Sequence, residues 1–156
     1  MRHRSLRTEH DSGFTLIEML IAVAVATILL TIAIPSYQDS VRKGRRADAV
    51  VGLTQLQQLQ ERYRANNPAY ASAIASMPGS APTTSPEQHY ALSIAPAASA
   101  SSSYTITATA QAGSPQFADT RCRRLSITMS GGNMSYASVD AGGTVDNTNA
   151  NRCWSK

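Results

Sequence analysis

Gly13-Phe14-Thr15-Leu16-Ile17-Glu18 opens an apolar run, residues 14–35 (FTLIEMLIAVAVATILLTIAIP), in which Glu18 is the only charged side chain. At about 1.5 Å per residue a helix of this length spans roughly 33 Å, close to the hydrocarbon thickness of a bilayer. The core helix of a soluble domain would carry a polar stripe at 3.6-residue spacing, but between Met19 and Ile34 only Thr27 and Thr31 are polar. The segment therefore reads as membrane-inserting. Ahead of it, residues 1–13 (MRHRSLRTEHDSG) hold Arg2, Arg4, Arg7, Glu9 and Asp11 and no apolar run. Behind it Pro35-Ser36-Tyr37-Gln38-Asp39 leads into a continued helical pattern, with no small-residue cleavage site of the secretory kind, so the apolar segment is expected to be retained.

Glu18 requires an explanation. An acid this deep in an apolar segment costs about 2.5–3.5 kcal/mol and is by default functional. No Lys or Arg lies between Phe14 and Val41, so a cationic partner must be the chain's own new N-terminus or another molecule. The competing reading is a glutamate snorkelling at the bilayer edge. Orientation does not follow from charge: Arg2, Arg4 and Arg7 precede the span, and Arg42, Lys43, Arg45 and Arg46 follow it.

The remainder bounds the answer. With 156 residues, 42% apolar and 15% charged, the chain suits one compact domain, which excludes a large multi-domain enzyme. A net charge of +4 falls short of the dense basic surface of a dedicated nucleic-acid binder. Helical periodicity continues to about residue 65, with Ala49, Leu53, Leu56, Leu59 and Tyr63 in one apolar sector that needs a covering layer. A kink is expected at Pro35 and looser packing at Gly44 and Gly52. Arg42-Lys43-Gly44-Arg45-Arg46 reads as a solvated or headgroup-facing turn beside the membrane exit.

Residues 68–86 are rich in Pro, Ala and Ser and read as a loop. Period-two stretches follow at 90–94, 104–110, 125–129 and 133–137, the last two joined through Ser130-Gly131-Gly132 as a hairpin. Roughly four antiparallel strands laid on the Leu53/Leu56/Tyr63 sector give an α+β body. Residues 95–103 (APAASASSS) read as a low-complexity loop. Cys122 and Cys153, the only cysteines, fit neither C-x-x-C redox chemistry nor a four-ligand zinc site; a single structural disulfide in an oxidising compartment is expected.

Catalytic chemistry is sparse. Beyond residues 1–13 only His89 remains, and no Ser-His-acid or Cys-His order assembles around it. The chain has no H-E-x-x-H, P-loop or G-x-G-x-x-G. No enzyme activity, cofactor or metal is expected. Residues 140–151 (DAGGTVDNTNAN) offer carboxylate and amide oxygens, but not at EF-hand spacing. Arg121, Arg123 and Arg124 beside Cys122 read as a solvated loop, with DNA as the competing partner. Trp154, the only tryptophan, reads as a lid packed beside the disulfide.

Gly13-Phe14-Thr15-Leu16-Ile17-Glu18 after a short charged leader, followed by an apolar run and Pro35, closely resembles the prepilin signature of type IV pilins and type II secretion pseudopilins. Weaker likeness through Gln57, Glu61-Arg62-Tyr63, Cys122, Cys153 and Trp154 is most similar to the minor pilin E subgroup. The resemblance implies a type IV pilin fold: a leader 1–13, a transmembrane and assembly helix 14–35, and a periplasmic or extracellular domain 36–156 with a C-terminal disulfide loop. It implies cleavage by a prepilin peptidase between Gly13 and Phe14, N-methylation of Phe14, and pairing of Glu18 with the Phe14 ammonium of a neighbouring subunit. The partners implied are other pilin subunits, membrane lipid before assembly, and an inner-membrane platform with a cytoplasmic motor ATPase. The leader is then cytoplasmic and the mature chain joins an extracellular pilus serving twitching motility, adhesion or DNA uptake. The alternatives are a type II secretion pseudopilin, some of which bind calcium in a loop comparable to 140–151, and a pilus-tip DNA-binding or receptor module.

Overall fold

The computed structural model describes residues 13–95, 101–148 and 150–154. Of the expected leader only Gly13 lies among them, and much of the expected loop 95–103 lies outside. The order of elements is α1 (Leu16–Arg64), β1 (Tyr90–Ala95), β2 (Ser103–Ala110), β3 (Arg124–Ser130), β4 (Asn133–Val139) and β5 (Val145–Asp146). The chain divides into two compact units, Met1–Gln38 and Asp39–Lys156.

In the first unit α1 is exposed at every described residue, including Leu16, Leu20, Ile28 and Leu30. This part is long and apolar enough to cross a membrane, and none of its most apolar window is buried. The helix continues through Pro35, whose missing N–H does not end it.

In the second unit the expected apolar sector, except for the half-buried Tyr63 at its end, packs in the core. Ala49, Leu53 and Leu56 are fully buried and Leu59 packs beside them. Burying each leucine contributes about 1.5–3 kcal/mol. The sheet is antiparallel in the order β1-β2-β3-β4-β5. Strand β2 alternates strictly: Tyr104, Ile106, Ala108 and Ala110 face the core, while Thr105, Thr107 and Thr109 face outward. Its register places Ile106 opposite both Ile94 and Ile127, so three isoleucines meet in one row beneath α1. Outside, Thr105 and Thr128 share a hydroxyl bond of 3.0 Å. Gly131 and Gly132 turn the β3–β4 hairpin with φ of 56° and 84°, a pair that favours glycine at both positions.

Among the described residues the sheet has five strands where roughly four were expected, the added one being the short pairing of Val145 and Asp146 with Val139 and Ser138; two residues carry no periodicity to read. Two expectations are corrected. Gly52 is not a loose spot: a Cβ there would lie 3.1 and 3.2 Å from the Leu92 side chain, so the glycine lets α1 close on β1. Arg46 is buried rather than solvated, and its partner is described below.

Candidate functional site

Two regions carry chemistry, one in each unit. At the start of α1, Glu18 Oε2 accepts from the Thr15 N–H at 2.8 Å and from the Thr15 hydroxyl at 2.7 Å, and the Glu18 N–H points back to Thr15 Oγ1 at 3.3 Å. Thr15-x-x-Glu18 is therefore a reciprocal capping box. Its T-x-x-E spacing stands in the sequence, and it gives Glu18 a structural task beside the intermolecular one implied by the resemblance. Gly13 and Phe14 precede this cap and are exposed.

The second region surrounds the disulfide. Cys122 and Cys153 are joined with Cα atoms 5.6 Å apart, as expected. The loop before Cys122 is fastened to α1 from two sides. Arg46 Nε donates to Asp119 Oδ2 at 2.7 Å in a buried pair, and Gln116 Nε2 donates to the same oxygen at 3.0 Å. Arg121 reaches Asp39, which also pairs with Arg42 at 3.5 Å. The three arginines read as equivalent in the sequence are thus unlike one another. Arg121 is ion-paired. Arg123 stacks on Phe117, with its guanidinium 3.7 Å from the ring centroid and its Nε buried without a hydrogen bond. Arg124, opening β3, is exposed and makes no ion pair among the described residues. Of the cations on the first turns of this unit, Lys43 is exposed and Arg45 half-buried.

A second anchoring hub lies two residues further along α1. Asp48, also buried, accepts from the Ser85 hydroxyl, from the Glu87 N–H at 2.9 Å and from the His89 N–H at 3.4 Å. His89 itself sits between Ser114, 2.9 Å from Nδ1, and Glu87, 3.6 Å from Nε2. This Ser-His-Glu order resembles a hydrolytic triad only in composition: Ser114 Oγ already accepts the Gln116 N–H as a helix cap at 3.1 Å, and the Glu87 side chain is 69% exposed. It joins two loops.

The C-terminal turns use their oxygens internally. Asp140 accepts from the Thr144 N–H at 2.8 Å and Asp146 from both Thr148 donors, and these bonds hold both carboxyls below the usual range. Among the described residues no three His, Cys, Asp or Glu side chains converge as metal ligands. Trp154 does pack as a lid: it lies against the core, donates Nε1–H to the Ala137 carbonyl at 3.0 Å, and meets Tyr136 edge to face at 5.0 Å. Beside it opens a groove of about 430 Å³, walled by Val50, Thr54 and Gln57 of α1, Met134 and Tyr136 of β4, and Trp154.

The buried polar residues were not legible in advance. Gln60, fully buried, bonds both ways with Ala71, its Nε2 to the carbonyl and its Oε1 to the N–H, each at 2.9 Å. In a run of glutamines nothing marks that one.

Residues 35–126 match a family described as type IV minor pilin ComP, DNA uptake sequence receptor. Residues 10–34 match the prokaryotic N-terminal methylation motif. A stretch of 39 residues is 49% identical to the fimbrial protein EcpC of Eikenella corrodens, covering 25% of this chain and 26% of that protein. That match spans about a quarter of the relative's length.

Proposed function

The chain belongs to the family of type IV minor pilins, and we propose that its processed form, Phe14 to Lys156, enters a pilus as a structural or priming subunit. The fold is the α+β pilin architecture, and the N-methylation motif marks the chain as a prepilin. In the proposed sequence a prepilin peptidase cuts between Gly13 and Phe14 and the new amine is methylated. The subunit then waits in the inner membrane with its body on the periplasmic side. Its apolar helix next exchanges lipid for the helices of neighbours, driven by a platform and motor ATPase. Glu18 pairs with a neighbour's Phe14 ammonium, since a carboxylate and an ammonium desolvated together satisfy one another only in register. The family is one of structural pilins, and we assign this chain no catalytic step.

The observation that carries the reading is that the methylation motif matched over residues 10–34 overlaps, from Leu16 on, a helix whose apolar side chains are exposed among the described residues. Mass spectrometry of the N-terminus in sheared filaments tests it. A methylated Phe14 is the expected result; a chain beginning at Met1 and absent from fibres overturns it. Gly13→Leu is expected to leave uncut precursor in the membrane.

A second reading, contact with DNA during uptake, is favoured by the family that matches residues 35–126. Arg124, Lys43 and Arg45 are among the cations that make no ion pair among the described residues, and they suit phosphate contacts. Gel shifts at graded salt test this: replacing Arg124 should lower the salt slope by about one, and an unchanged slope removes that residue from the interface. Membership of the pilin family counts against the type II secretion alternative.

A further inference from the structure

The groove between α1 and β4 has an unusual lining. Its described walls contain no charged side chain. Apolar surface comes from Val50, Ile127 and Met134 and from the rings of Tyr136 and Trp154, while hydroxyls and amides come from Thr54, Gln57, Ser135, Asn147 and Thr148. An ionic ligand would be desolvated there with no counter-charge. The Thr54 and Thr148 hydroxyls already donate to the Val50 carbonyl and to Asp146, but a purely apolar ligand would leave the Ser135 hydroxyl and the Asn147 and Gln57 amides without a good partner. The chemistry that satisfies both surfaces is an uncharged molecule bearing many hydroxyls around an apolar C–H face. We propose that this groove binds a neutral saccharide.

The geometry is prepared for such a ligand. The edge-to-face pair of Tyr136 and Trp154 gives a rigid aromatic wall for a sugar ring, with the indole N–H already committed to Ala137. Asn151 beneath has its polar atoms spent within the fold: its Nδ2 donates to the Asp146 carbonyl, and its Oδ1 accepts from Ser138 and the Cys153 N–H. These residues form a fixed floor, which lowers the entropy lost on binding. Gln57 differs. Its Nε2 rests 3.0 Å from the Met134 sulfur, a weak acceptor, so a sugar hydroxyl offers that amide a better partner. The volume of about 430 Å³ lies in the range of small-ligand sites. The groove lies wholly within residues 39–156, outside the apolar half of α1, and its lining includes none of Lys43, Arg45 and Arg124, so the proposal stands apart from filament assembly and from those DNA contacts.

Trp154 is the chain's only tryptophan, so its fluorescence reports directly on this wall. The processed full-length chain in phosphatidylcholine nanodiscs, free of glycoside detergent, is titrated with glucose, galactose, N-acetylglucosamine and their neutral disaccharides, with calorimetry alongside. The expected result is a saturable change for at least one sugar, weakened about tenfold by Gln57→Ala and lost in Tyr136→Ala, with the melting temperature of Gln57→Ala unchanged. Glucuronate and short duplex DNA should neither elicit nor displace the response. Four outcomes overturn the proposal: no saturable change with any neutral sugar, an equal response in Gln57→Ala, an equal response to glucuronate, or displacement by DNA.

Discussion

Arg46 and Asp119 form a buried ion pair at 2.7 Å, their side chains 11% and 2% exposed, and through it the loop that carries Cys122 is fixed to α1. Removing one partner leaves the other charged and desolvated. Arg46→Ala is therefore expected to destabilise the body by about 3–5 kcal/mol, the usual cost of breaking a buried pair. Urea unfolding of the processed chain, followed by Trp154 fluorescence, measures it. A loss below about 1 kcal/mol, the range of exposed pairs, would mean that the pair behaves as a surface contact.

The capping box separates two duties of Glu18. Glu18→Gln keeps an oxygen able to accept from Thr15 but loses the charge that would meet a neighbour's ammonium. Helix content in the membrane is expected to hold while incorporation into sheared filaments falls severalfold. Glu18→Ala should show the same assembly defect plus a frayed first turn, costing about 0.5–2 kcal/mol of helix stability. Normal incorporation of Glu18→Gln, read by immunoblot of the filament fraction, would leave the cap as the residue's only task.

Cys122→Ser is expected to cost about 3–4 kcal/mol, the chain-entropy estimate for a loop of this length, with a matching fall in melting temperature. Treating the unaltered chain with reductant should bring it to the same midpoint, since both routes open the same loop.

Alkali gives a signed test. Burial pushes the Tyr90 phenol up to about 12, and burial together with Glu61 raises Tyr104 as well. A phenol whose folded pKa lies above its unfolded value near 10 contributes stability that is complete below pH 10 and is lost as pH rises toward 12. The Tyr90 hydroxyl is buried without a hydrogen-bond partner of good geometry, though Gln116 beside it lowers the pKa in part. Tyr90→Phe is thus expected to leave the urea midpoint at pH 7 nearly unchanged or slightly raised, and to flatten its decline between pH 10 and 12. An equally steep decline would assign the alkaline loss elsewhere.

Reading the chain in advance worked where burial imposes a period. The alternation in 104–110 located β2 to within one residue at its start, and the Ala49, Leu53, Leu56 spacing named the face of α1 that meets the sheet. It failed where burial depends on a partner distant in the chain. Arg46 looked like its neighbours Arg45 and Lys43, because only Asp119, fixed by the later loop, distinguishes it. Gly52 looked like a weak point in a helix, because the closeness of Leu92 is a tertiary fact. In the candidate site the cysteine pair and the Thr15–Glu18 spacing were present as letters, whereas the groove beside Trp154 draws its walls from three separate elements and has no signature in any one of them.

The strand order β1 to β5 follows the chain without a crossover, and this has a kinetic corollary. Each strand finds its mate next door, so the sheet can grow hairpin by hairpin in rapid, low-contact-order steps. The helix that must cover it arrives across the long connection over 68–86. Until then Ile106, Leu125 and Ile127 are bare to any sticky neighbour, and the docking of Leu53 and Leu56 sets how long that hazardous interval lasts.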